Sequence, residues 1–134
     1  MTASPARRRS TPAAALALAA LGSLVAVTGC ASASDATPEE KTFSYGGTTL
    51  NVRSHEVSTD LVATDRQDIK VTRWFDARVL GSKETSWSLS GDNLDLQAGC
   101  TGIANCDARY RVEVPRSLTV LRDGRETDLK GGAS

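Results

Sequence analysis

From residue 49 onward, polar and apolar residues alternate with a period of two. The alternating runs are Thr49-Leu50-Asn51-Val52-Arg53, Ile69-Lys70-Val71-Thr72-Arg73-Trp74, Ser86-Trp87-Ser88-Leu89-Ser90, Asn93-Leu94-Asp95-Leu96-Gln97, Tyr110-Arg111-Val112-Glu113-Val114 and Ser117-Leu118-Thr119-Val120. Successive side chains of an extended strand fall on opposite faces, so each run predicts a strand with one apolar and one polar face. Val57, Leu61 and Val62 suggest a further, less regular strand. Turn residues separate the runs: Gly46-Gly47, Gly91-Asp92 and Asp123-Gly124. Gly91-Asp92 is the strongest hairpin signal, and Pro115, which lacks a backbone donor, should end the strand before it. No stretch carries the 3.6-residue period of a three-turn helix. The expected fold is all-β, a small antiparallel or solenoid-like sheet domain. Its expected core is Leu50, Val52, Leu61, Ile69, Val71, Trp87, Leu89, Leu94, Leu96, Tyr110, Val112, Val114, Leu118 and Val120.

The first 29 residues follow a different pattern. Arg7-Arg8-Arg9 precedes a charge-free stretch from Ala13 to Val27, and Val27-Thr28-Gly29 leads into Cys30. A basic start, a short apolar run and small residues before a cut are what a secretory signal requires. With cysteine after the small residues, the segment resembles a bacterial lipoprotein signal with a lipobox, in which Cys30 receives a diacylglycerol and becomes the mature N-terminus. The 15 apolar-stretch residues fall short of the roughly 20 needed to span a bilayer. Arg8-Arg9 also admits twin-arginine export, although Ser10-Thr11-Pro12 lacks the apolar residues that route favours. Ala31–Lys41 has almost no large apolar groups and reads as a flexible tether with a reach of roughly 20 Å. The expected organisation is signal peptide 1–29, lipidated cysteine and tether 30–41, and β domain 42–134, on the outer face of the cell membrane.

Charge and cysteine content narrow the partners. The whole chain carries 16 basic and 16 acidic residues; without residues 1–29 it has 13 basic and 16 acidic. A mildly acidic domain lacks the basic stripe of a nucleic-acid binder. Arg109, Arg111, Arg116, Arg122 and Arg125 are interspersed with acids, as on a solvated strand face, the alternative being contact with an acidic cell-wall polymer or lipid head groups. With Cys30 assigned to lipid, Cys100 and Cys106 form an even pair in an oxidising compartment, where a disulfide is expected to pin a local loop. A redox pair would favour C-x-x-C spacing, and structural zinc needs four ligands.

Candidate chemistry is sparse. His55 is the one histidine, and Ser54 or Ser58 beside it along an extended chain cannot converge into a triad; a solvated loop histidine is expected. Asp60, Asp65 and Asp68 lack the spacing and closing Glu of an EF-hand, and Asp92, Asn93 and Asp95 fit hairpin-turn chemistry. No metal, cofactor or catalytic residue is implied. Trp74 and Phe75 are consecutive and cannot face the same core from a regular strand, so one of them is a candidate surface contact for a sugar or partner.

The run Leu50–Val57 with Ile69–Arg73, and Cys100…Cys106 followed by Tyr110-Arg111-Val112-Glu113-Val114-Pro115, Leu118 and Val120, together resemble the DUF4097 family of adhesin-type domains, common in actinobacterial lipoproteins. The resemblance covers roughly Phe43–Leu129 and implies a surface β-domain of stacked short strands without catalytic residues. Family members commonly continue with glycine-punctuated rungs, of which Arg125–Leu129 offers one, so pairing with another copy through the C-terminal strand edge is an expectation. The functional expectation is a non-catalytic, membrane-anchored surface binding or structural domain contacting cell-wall polymer or another envelope protein. A partner-dependent or truncated fragment of a longer surface protein is the alternative, followed by an envelope enzyme or solute-binding component.

Overall fold

A computed structural model describes residues 30–129. Residues 1–29, where a signal segment with Val27, Thr28 and Gly29 as its lipobox is expected, lie outside the described residues, as do 130–134. The fold is all-β, with strands β1 (Glu39–Phe43), β2 (Thr49–Arg53), β3 (Ser58–Thr64), β4 (Ile69–Ser90), β5 (Asn93–Pro115), β6 (Thr119–Arg122) and β7 (Arg125–Glu126). A 3₁₀ turn at Ala33–Asp35 precedes them. Among the described residues no helix is long and apolar enough to cross a membrane.

The organising element is the β4–β5 hairpin, paired without interruption from Lys70↔Glu113 to Ser90↔Asn93. Gly91, with φ 57°, and Asp92 make the two-residue turn. Six residues of straight strand would cover roughly 20 Å, yet the Cα atoms of Cys100 and Cys106 are 6.1 Å apart. The ribbon therefore folds back on itself, about the facing pair Gly81↔Gly102. Its base half and its tip half then confront each other. The Tyr110 hydroxyl, on the base half, lies 2.7 Å from the Gln97 carbonyl and 3.3 Å from that of Ser86, both on the tip half.

The other strands dock on this folded ribbon. β1 runs antiparallel to the start of β4, from Glu39↔Arg73 to Phe43↔Ile69. β5 offers its far edge twice: Asn93–Asp95 takes β2 in parallel, and Arg109–Pro115 takes β3 in parallel. β2 and β3 thus follow the same bend as β5, joined by a corner where His55 and Glu56 have φ of 47° and 67°. The Val57 amide closes that corner on the Ser54 carbonyl at 2.9 Å. Asp123 caps it by accepting from the Ser54 amide (3.0 Å) and hydroxyl (3.2 Å). β6 stacks parallel on β2, giving a mixed sheet of order β1-β4-β5-β2-β6-β7 with β3 on β5. The expected antiparallel pairing holds for β4–β5, β1–β4 and β6–β7, and the remaining pairs are parallel.

The buried core is Leu50, Val52, Ile69, Val71, Leu94, Leu96, Tyr110, Val112, Val114, Leu118 and Val120. Leu61, Trp87 and Leu89, also expected in the core, are partly buried against it. Apolar residues meet as cross-strand ladders, Val71–Val112–Leu61 on the base layer and Leu89–Leu94–Val52 on the tip layer. Such same-face neighbours are the unit of sheet stabilisation. The hairpin tip is also pinned by polar contacts. Asn51 Nδ2 donates to Asn93 Oδ1 at 2.9 Å, and the Tyr45 hydroxyl is shared between Asp92 Oδ1, at 2.7 Å, and the Thr49 carbonyl.

Two expectations are corrected here. Glu39–Lys41, assigned by composition to the tether, are the first residues of β1. Their exposed, charged side chains are what an edge strand carries to resist pairing with other chains. Cys100 and Cys106 do not pin a loop; both lie within β5, and their disulfide clamps the fold of a two-stranded ribbon.

Gly102 has φ 91°, and a Cβ there would sit 2.8 Å from the Leu80 carbonyl oxygen. Gly102→Ala is expected to destabilise the domain by about 1–3 kcal/mol in urea denaturation. Gly99→Ala, where a Cβ meets open space, should stay within about 0.5 kcal/mol of wild type. Burial, and then the Asp92 carboxylate, push the Tyr45 phenol up to about 12. The unfolded chain loses that proton near pH 10. The contribution is therefore complete below pH 10 and is lost as pH rises through about 12. Burial raises Tyr110 as well, against partial opposition from Arg73. Tyr45→Phe should remove part, not all, of the alkaline loss of stability, read as urea midpoints on either side of pH 10.

Candidate functional site

Of the sequence-derived candidates, Cys100 and Cys106 flank the bend, Trp74 and Phe75 lie on β4 between its base and the bend, and Cys30 lies just ahead of a segment that docks on the ribbon. Asp76 and Asp107 face each other across β4 and β5, a like-charge pairing that would repel. The N-terminal segment resolves the conflict. The Ser32 amide donates to Asp76 Oδ2 at 2.9 Å, and the Ala33 amide donates to Asp107 Oδ2 at 2.7 Å. Ala33 is buried against the ribbon, and Cys30 is exposed with a free thiol three residues earlier. The chain ahead of β1 is thus docked, not a free tether. From Cys30 to the first pinned residue there are about 7 Å of chain.

Strand alternation sends Trp74 and Phe75 to opposite faces of β4. Trp74 shares the face of Asp76, with the Arg109 guanidinium stacked 4.6 Å from its ring. Phe75 lies on the inner face with Arg73, and both line a groove of about 430 Å³ with Thr37, Glu39, Lys83 and Thr85. Neither aromatic is fully exposed; both are half-buried.

Arg73 is the most constrained charge in this region, its side chain only 12% exposed. Its guanidinium stacks 4.3 Å from the Trp87 ring and donates through Nε to Glu39 Oε2 at 2.9 Å, with a second contact from the neighbouring nitrogen. Burial works against its charge, but the Glu39 carboxylate and Tyr110 hydroxyl outweigh this and hold Arg73 above its ordinary range. Glu39 belongs to β1, Arg73 to the base half and Trp87 to the tip half, so the cluster ties three pieces of the fold. A cation over an indole face, partly desolvated, is a favourable contact. Composition gave no signal for this cluster; the one trace in the sequence is that Arg73 takes the position that Ile69 and Val71 mark as inward-facing.

The remaining polar candidates are occupied structurally. His55 Nε2 lies 2.8 Å from Asp95 Oδ1, and Arg53 pairs with the other carboxylate oxygen at 3.4 Å. His55 is exposed in the turn at the corner, in line with the expectation of a solvated loop histidine, and this contact joins the corner to the hairpin tip. Asp65 binds Arg116 and Asp68 binds Arg66, each at 2.8 Å. Among the described residues, no group of three or more metal-ligating side chains converges. At the C-terminal edge, β6 is covered by the two-residue β7 through a turn at Asp123 and Gly124, both with positive φ. The Thr127 hydroxyl donates to the Val120 carbonyl at 2.6 Å. The edge expected to pair with another copy is therefore short and blunted. No family model matches the chain, and neither a curated protein nor a solved structure matches it.

The Cys100–Cys106 clamp yields a direct test. Reduction, or the Cys100→Ser/Cys106→Ser variant, is expected to cost roughly 2.4 kcal/mol on the chain-entropy account. Hydrogen exchange should rise in Ser86–Gln97, because opening the bend frees the tip half from the base half. An increase confined to Thr101–Asn105 would mean that the bridge holds only local structure.

Proposed function

We propose that this chain is a membrane-anchored lipoprotein of the cell envelope, on the outer face of the cell membrane. Its β domain acts non-catalytically there as a surface binding or structural module of the adhesin type. The observation that carries this reading is the state of the three cysteines. Cys100 and Cys106 are joined, while Cys30 is exposed and free, at the end of the Val27-Thr28-Gly29 lipobox. Stable attachment requires two acyl chains, which a diacylglycerol on Cys30 supplies. The non-catalytic part rests on the occupancy of the titratable groups. His55 is held by Asp95, and Asp65, Asp68, Asp76, Asp92 and Asp107 each hold a structural partner. A cell-wall polymer or another envelope protein is the partner this reading calls for, and the groove beside Phe75 and Lys83 offers it an apolar wall and a cation.

Intact-mass analysis of the protein from its native membrane fraction tests the reading. The expected mass begins at Cys30, carries added acyl chains, and shows two alkylatable thiols only after reduction. A chain starting elsewhere without lipid would overturn it.

A further inference from the structure

We propose that the bend of the β4–β5 ribbon is a membrane-contact apex, seating Leu80 and Ile103 in the interfacial layer of the lipid surface to which Cys30 is anchored. The proposal rests on the lipoprotein reading above and adds to it how the domain stands on the membrane.

Among the described residues, Leu80 and Ile103 are the large apolar side chains left exposed, at 78% and 79%. A scattered surface leucine needs no explanation. These two, however, are directly opposed in the ladder, so their side chains emerge side by side on one face. The surrounding apex carries no charge from Val79 to Ser82 or from Thr101 to Asn105. Counting in twos, Arg78 and Glu84 share the face of Leu80, whereas Lys83 is on the inner face. An uncharged tip bearing apolar groups suits the interfacial layer of a lipid surface, and Arg78 beside it suits anionic head groups.

The anchor lies on the same side. Counting in twos along the strands, Leu80 shares the face of Asp76, and Ile103 shares that of Asp107. Asp76 and Asp107 are the carboxylates that hold Ser32 and Ala33. Because β1 is antiparallel to β4, the chain read backward from Glu39 travels toward the bend. From Asp76 to Leu80 is about 13 Å of strand, and from Ser32 to Cys30 about 7 Å of chain. A lipid on Cys30 therefore brings the bilayer to the face and the end of the ribbon where the two apolar side chains stand.

The test uses the full mature protein purified from its native membrane fraction. It is reconstituted into vesicles of phosphatidylcholine with phosphatidylglycerol as the minor component, plus a trace of phospholipid bearing a diazirine on its acyl chain. After irradiation, lipid crosslinks are mapped by peptide mass spectrometry. Crosslinks should concentrate in 79–82 and 101–105, and should fall by about fivefold or more in Leu80→Ser/Ile103→Ser. Both residues are exposed, so this variant should unfold at the same urea midpoint as wild type. Crosslinks spread over other faces, or unchanged in the variant, would overturn the apex. The intact mass of the same sample separates the two readings. Acylated Cys30 without crosslinks at the bend sinks the apex alone, whereas unmodified Cys30 sinks the lipoprotein reading and the apex with it.

Discussion

Everything in this fold depends on a two-stranded ribbon being bent back on itself. A straight hairpin of this length has no core: its apolar positions near the base, Ile69, Val71, Tyr110 and Val112, and near the tip, Leu94 and Leu96, would be far apart. Folding about Gly81 and Gly102 brings the two sets face to face, and the Cys100–Cys106 bridge fixes that geometry. β2 and β3 repeat the bend in parallel with β5, without a disulfide of their own. They rely on the Ser54–Val57 corner, on Asp123, and on the template beneath them. The mixed topology is therefore a consequence of one bent edge offering two docking sites.

The cluster of Glu39, Arg73, Trp87 and Tyr110 shows how the inside of the bend is kept polar without being left unsatisfied. Arg73 occupies an inward position of β4, where an apolar residue would be expected from alternation. It is accommodated because the Trp87 ring supplies an electron-rich face and Glu39 supplies the counter-charge. Among the described residues, no buried side-chain nitrogen or oxygen lacks a hydrogen-bond partner. Burial of polar groups costs little when each is paired.

Legibility in the sequence followed burial closely. Thr49–Arg53 and Asn93–Gln97 could be read because one face meets the core and the other meets water, so alternation is imposed on the residues themselves. Leu80–Thr85 could not, because both faces of the ribbon are exposed there and the ladder is held by backbone bonds that leave no periodic mark. Two short expected strands thereby concealed one of 22 residues. Glu39–Lys41 failed for the same reason in reverse: a fully exposed edge strand has the composition of a linker. The disulfide was legible as a pair. Its role was not, because the Gly102 side of the bend carries no information about the Gly81 strand lying opposite. Parallel pairing of β2 with β6, across about 70 residues of chain, leaves no local trace at all.

The hairpin turn at Gly91-Asp92 also sets the order in which the chain can be assembled. Pairs on either side of it close short loops first, and each further pair along the ribbon adds little entropic cost. The Cys100–Cys106 bridge spans six residues and can likewise close before any distant segment arrives. By contrast, β2 and β3 precede the ribbon in the chain, yet have no edge to bind until β5 exists. A chain emerging from its N-terminus therefore cannot build this domain progressively. The first half waits unpaired for the second, and the domain condenses only once the bent ribbon is present to receive it.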